Sequence, residues 1–166
     1  MLLTRLKKGG ASPSLLYNKL EMEVSNMIPK FKAYIKKSKK IYPVNDLTLN
    51  GIDDEPVGIN GCGDSTCTTC LDWYRFEDIE LMQSTGLKDK NGVEIYEGDI
   101  VSVRNHPFQK TELSGAGIEI DGDYLIGWSD HNLTWLAGDL LLYQLKPYIE
   151  VIGNVFVNPE LLEVES

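Results

Sequence analysis

The chain has 166 residues, 42% hydrophobic and 25% charged, the composition of an ordinary globular protein long enough to bury a core in one domain. No apolar run approaches the ~20 residues that cross a bilayer as a helix, and Met1 to Gly10 lacks the continuous apolar stretch of a secretory leader, so a cytoplasmic protein is expected. The net charge of −9 divides unevenly, with ten Lys or Arg against two Glu in residues 1–40 and six against 23 Asp or Glu in residues 41–166, and so acidic a body disfavours a phosphate backbone and favours a basic partner.

In chain order, Gly9-Gly10-Ala11-Ser12-Pro13-Ser14 breaks the chain, and Leu15, Leu16, Leu20 and Val24 follow at helical spacing with Ser14 as a candidate cap. Phe31, Ala33 and Ile35 alternate with Lys32, Tyr34 and Lys36, the pattern of a strand with one apolar face. The lysine-rich stretch to Lys40 reads as a turn. Ile41 to Val44 and Leu47 to Leu49 read as short strands, the first placed at a sheet edge by Pro43. Residues 50–70, rich in Gly, Asp and Asn, read as loop. Trp73 to Met82 fits a helix or a strand.

Asn91-Gly92 can supply the two positive φ angles of a type I′ turn, so Val93 to Tyr96 is read as one arm of a hairpin. Gly98-Asp99 punctuates the chain before the β-branched strand Ile100 to Val103. His106 to Gly117 is an irregular loop. Tyr124 to Trp128 and Leu133 to Trp135 are strands around a turn, and Asp139 to Leu145 is a buried strand or a helical turn. Tyr148 to Val157 is the last strand, and Asn158 caps a helical turn with Pro159 at its first position. Short strands with little helix indicate an all-β barrel or sandwich.

Cys62, Cys67 and Cys70 are the whole cysteine inventory, spaced C-x4-C-x2-C. Plant-type iron–sulfur sites share that spacing but need a fourth thiolate, so no iron is expected. A Cys3His zinc site would draw on His106 or His131. Reduced thiols and no cofactor are the expectation, with zinc at these three residues as the alternative. Asp121, Asp123 and Asp130 could group carboxylates for a cation, although Asp-Gly-Asp is more often a turn. No phosphate-binding glycine loop or nucleophile elbow is present, and no catalysis is expected. Tyr124, Trp128, Trp135 and Tyr148 read as core and interface rather than as a platform for stacked bases.

The run Thr85-Gly86-Leu87-Lys88-Asp89-Lys90-Asn91-Gly92, continued by Ile95-Tyr96-Glu97-Gly98-Asp99-Ile100-Val101, resembles the YopX family of phage- and prophage-encoded proteins. Glu150 to Val155, with Gly153 and Asn154, and Asn158 to Leu162 add a second match, and Met27 to Tyr34 a weaker third. The resemblance spans about Met27 to Leu162, which divides the chain into an N-terminal extension, residues 1–26, and a YopX-like domain, residues 27–162. A purine-rich ribosome-binding stretch is compatible with the codons just before Met27, itself a candidate start. The resemblance implies a small SH3-like barrel, a homo-oligomer and no assigned activity, in the cytoplasm of a bacterial host. The expected function is non-catalytic protein–protein binding, directed at a host protein such as a component of antiviral defence, through the acidic loops Asp53-Asp54-Glu55 and Asp121 to Asp123. The alternative is a nucleic-acid-binding accessory that uses Lys30 to Lys40.

Overall fold

The protein was analysed as a computed structural model that describes residues 28–63, 67, 69–109 and 118–162. The N-terminal extension, its helix at Leu15 to Val24 and the middle of the His106 to Gly117 loop lie outside the described residues. Strand β1 (Phe31–Ile35) keeps the expected alternation, with Ala33 and Ile35 buried. The lysine turn reverses the chain through Lys39 at φ 56°, whose N–H donates to the Ile35 carbonyl at 2.8 Å.

The first expected short strand lengthens into β2 (Lys40–Leu47), which takes in only Leu47 of the second and lies inside its sheet rather than at an edge. Pro43 is tolerated because the two halves of β2 face different partners. Lys40 to Pro43 pairs with β1, and the pairing with β3 begins only at Val44. The missing N–H of Pro43 therefore falls before the β3 ladder starts. Strand β3 (Val57–Asn60) was expected as loop and is buried at all four positions. Strand β4 (Leu71–Tyr74) returns antiparallel to it. A 3-10 turn at Phe76–Asp78 leads into β5 (Ile79–Lys88), so the ambiguous stretch is strand from Ile79 onward. Strand β6 (Glu94–Tyr96) completes a six-stranded sheet of order β4-β3-β2-β1-β5-β6.

The β5–β6 turn is not type I′. Gly92 alone has positive φ (85°), its N–H donates to Asp89 O at 3.1 Å, and Asp89 N–H donates to Val93 O at 2.8 Å. This is a three-residue loop closed by a glycine bulge. The longer turn prevails because the Asp89 carboxylate holds it from inside, accepting the N–H groups of Asn91 and Val93, each at 2.8 Å.

The chain then changes sheet. At Gly98 (φ 80°) its N–H donates to Ile126 O and its carbonyl accepts from Val155 N–H, both at 2.9 Å. Beyond it, β7 (Asp99–Val103), β8 (Gly122–Ser129), β9 (Thr134–Ala137), β10 (Leu140–Leu141) and β11 (Ile149–Asn154) form a five-stranded sheet of order β10-β9-β8-β7-β11. A single helical turn, α1 (Leu142–Leu145), follows β10, so the apolar stretch near Leu140 is strand first and helix second. The chain's last described turn is 3-10 at Pro159–Leu162.

All sheet pairing is antiparallel, and the all-β class holds. The expected SH3-like barrel does not, because neither sheet closes on itself among the described residues: β4 and β6 end one, β10 and β11 the other. The turn at Gly98 hands the chain to a second sheet instead of wrapping the first. One core, around Ala33, Ile35, Val57, Ile59 and Ile79, lies on the first sheet. The larger core belongs to the second, around Val101, Val103, Ile126, Leu142 and Ile149, and it also takes in Ile95 of β6 and Leu87 of β5.

Candidate functional site

The β2–β3 loop places Asp53, Asp54 and Glu55 at an open cleft of about 500 Å³ that they line with Thr48, Trp73 and Arg75. Asn50 fixes the loop. Its amide Nδ2 donates to Asp53 Oδ2 at 2.8 Å, while its Oδ1 accepts the N–H groups of Ile52 and Asp53. Strand β4, which ends the six-stranded sheet, contributes Trp73, 43% exposed; a Cβ built at Gly58 would lie 3.3 Å from its ring. Phe76 in the following turn is 49% exposed. Arg75 donates to Glu77 at 3.0 Å, and this hydrogen bond, followed by the charges of Glu77, Asp78 and Glu55, raises the pKa of its guanidinium further. The cleft is thus acidic, with an aromatic floor and a cation already engaged.

Asp121 and Asp123 lie on the other sheet and are held by their own chain. Asp121 accepts the N–H groups of Asn105 at 2.9 Å and His106 at 3.0 Å, tying the base of the loop between β7 and β8. Asp123 accepts from Arg104 at 2.7 Å.

The three cysteines converge. Cys62 follows β3, Cys67 and Cys70 precede β4, and the three sulfurs lie within 4.8 Å of one another. The Thr69 hydroxyl is 3.3 Å from Cys67 Sγ. That contact, the Thr69 backbone N–H and the thiols of Cys70 and Cys62 hold the Cys67 thiol down to about 6. The same thiol neighbours, Cys67 first, push Cys70 up. His106 packs edge-on against Tyr148 with ring centroids 4.9 Å apart and does not join the sulfurs, and neither does His131 in the β8–β9 turn.

The family profile described as YopX protein matches residues 30–163. The chain belongs to the YopX family. The crystal structure of protein EF1440 from Enterococcus faecalis is similar, with 30% sequence identity over 82% of this chain and 99% of that one, and a TM-score of 0.52. No curated protein matches.

The residues of the YopX signature meet at the joint between the sheets. Thr85 Oγ1 donates to Ile95 O at 2.9 Å and accepts from Leu87 N–H at 3.1 Å, which fixes the irregular end of β5 around Gly86 and turns Leu87 toward the second core. Asp89 reaches across with Oδ2 to accept the N–H of Val151 in β11 at 3.1 Å, and Lys90 N–H donates to Ile149 O at 3.0 Å. Burial works to raise the Asp89 pKa, but the N–H groups of Val151, Val93, Asn91 and Gly92 outweigh it and hold the carboxyl below the ordinary value. Asp99, also buried, accepts Tyr96 N–H at 2.8 Å and Asn154 Nδ2 at 3.1 Å, while Gly153 sits at a bulge in β11. Here burial prevails over those donors and over Lys32, and pushes Asp99 up. Asp89, Asp99 and Asn154 are buried and Thr85 is half-buried, and through them the signature builds a connection between sheets.

The tyrosines of the supposed stacking platform are core. Tyr124 and Tyr148 pack on the second core, and Tyr124 OH donates to Ile120 O at 2.7 Å. Trp128 and Trp135 meet edge to face with centroids 5.2 Å apart. Trp73, Arg75 and Phe76 went unmarked in the sequence. The available signal was aromatic residues interspersed with charges in Asp72-Trp73-Tyr74-Arg75-Phe76, but their position at and just after an edge strand depends on tertiary pairing.

Proposed function

We propose that this YopX-family protein acts without catalysis, by holding a protein partner with a basic face on the acidic, aromatic end of its six-stranded sheet. The observation that carries this reading is the exposure of Trp73, on the edge strand β4 beside Asp53, Asp54 and Glu55, and of Phe76, in the turn after it beside Asp54. A large aromatic gives a contact its burial energy, and the surrounding acids give it sign and a faster encounter. The proposed setting is that of a phage or prophage protein directed at a host protein, with antiviral defence as the intended target, and self-association belongs to the same proposal. Asp121 and Asp123 are less suited to the contact than the β2–β3 loop, since both already serve the fold.

The nucleic-acid alternative is weakened by where the lysines go. Lys36 pairs with Glu80 at 2.8 Å, Lys30 with Glu94 at 3.1 Å, and Lys32 lies 4.1 Å from the Tyr96 ring centre. The test is affinity capture from host lysate, with and without nuclease, identified by mass spectrometry and repeated with purified partner. A basic protein retained by the wild type and lost by Trp73→Ala, and by the triple change of Asp53→Asn, Asp54→Asn and Glu55→Gln, is the expected result. Capture that depends on nucleic acid and is abolished by Lys36→Glu with Lys37→Glu refutes the reading.

A further inference from the structure

We propose that Cys62, Cys67 and Cys70 form a three-thiolate zinc site at the tip of the β3–β4 hairpin. The argument is geometric. Four thiolates or three around a tetrahedral zinc stand about 3.8 Å apart, given Zn–S bonds of about 2.3 Å. The three sulfurs here already lie within 4.8 Å of one another, so closing on an ion requires small side-chain rotations.

The backbone brings them together from both arms of the hairpin. The ladder ends at Asn60 and Leu71, and Gly61 N–H donates to Cys70 O at 3.0 Å, which fixes where the loop begins and ends. Gly63 N–H donates to Asn60 O at 2.9 Å and folds Cys62 back over the loop. Cys67 and Cys70 supply the C-x2-C bite of a zinc knuckle, and the Thr69 hydroxyl lies between their sulfurs, at 3.3 Å and 3.9 Å, where it can donate to a bound thiolate. Among the described residues no further Cys, His, Asp or Glu joins the cluster, and a zinc held by three protein ligands takes a fourth donor from outside them. Binding displaces the thiol protons and involves no change of oxidation state. Zinc is the fitting ion because it is divalent, accepts sulfur and takes four ligands. The ion would clip the hairpin whose second strand presents Trp73.

Cobalt(II) is the probe. The full-length protein, reduced and freed of metal, is titrated with Co²⁺ and then with Zn²⁺. Thiolate-to-cobalt charge-transfer absorption with the visible bands of a tetrahedral site, saturating at one ion per chain and erased by one equivalent of zinc, is expected. Cys62→Ser, Cys67→Ser and Cys70→Ser should each weaken binding at least about tenfold. Should a variant fail to fold, zinc protection of three thiols from alkylation in the wild type decides the matter. Absence of the charge-transfer band, saturation at one ion per two chains, or wild-type affinity in Cys62→Ser would each overturn the site.

Discussion

Asp89 offers the most direct test of the joint between the sheets. It is 5% exposed and accepts three backbone N–H groups, from Asn91, Val93 and Val151. A hydrogen bond to a charged group contributes about 1.5–3 kcal/mol, but three cannot simply be added. Asn91 and Val93 are exposed at the hairpin tip, so on removal of the carboxylate their N–H groups regain water. Val151 is half-buried against the second core and regains little. Allowing about 2 kcal/mol for Val151 and about 0.5 for each tip donor, Asp89→Ala should cost about 3 kcal/mol. Asp89→Asn keeps one oxygen for the tip but turns an NH2 group toward the Val151 N–H, and should still cost about 2 kcal/mol. Urea unfolding of the full-length protein at pH 7 measures both. The folded pKa of Asp89 lies below the ordinary value, so its contribution is present above about pH 4 and is lost as the pH falls through the depressed value. Asp89→Asn should flatten that acid limb. If Asp89→Asn lies within about 0.5 kcal/mol of wild type, the Val151 contact does not couple the sheets and the reasoning fails.

Asn154→Ala removes the amide that donates to Asp99 and the oxygen that accepts Phe156 N–H at 3.0 Å, and should cost about 2–3 kcal/mol in urea unfolding. It should also push Asp99 further up, read from its carboxyl carbon shift. Because the raised pKa favours protonated Asp99 in the fold, its contribution is full below the ordinary value and is lost as the pH rises through the folded one, a loss the variant should extend upward. Gly98→Ala must hold φ near 80° and bring its Cβ within 3.1 Å of Phe156, so a thermal-midpoint loss equivalent to about 2 kcal/mol is expected. The triple substitution of Asp53, Asp54 and Glu55 touches only exposed side chains and should leave unfolding within about 0.5 kcal/mol of wild type.

Strands with a strong local signature were legible. Phe31-Lys32-Ala33-Tyr34-Ile35 alternates because one face is buried, and Ile100-Val101-Ser102-Val103 is rich in β-branched residues. Strand β3 was not, because Val57-Gly58-Ile59-Asn60 is buried on both faces, shows no alternation and contains a glycine beside a glycine-rich loop. Partner choice was hidden as well: β7 follows β6 in sequence but pairs with β8 and with β11 near the C-terminus, and this decides between one closed barrel and two open sheets. At the candidate site, the acids were visible as a run. Their aromatic neighbours arrive from β4 and the turn after it, and the convergence of Cys62 with Cys67 and Cys70 depends on how the loop folds back, neither of which periodicity encodes.

Each sheet is built from an uninterrupted stretch of chain, residues 31–96 for one and 99–154 for the other. Either can therefore assemble from its own hairpins without waiting for a strand of the other. Such a layout favours two units that open separately when the tie between them loosens. Native-state hydrogen exchange should resolve this as two groups of amides, whose opening energies draw apart in Asp89→Asn and Asn154→Ala. The residues that identify the lineage would then be those that make two independent folding units unfold as one, leaving the outer loops of each sheet free to change with the partner.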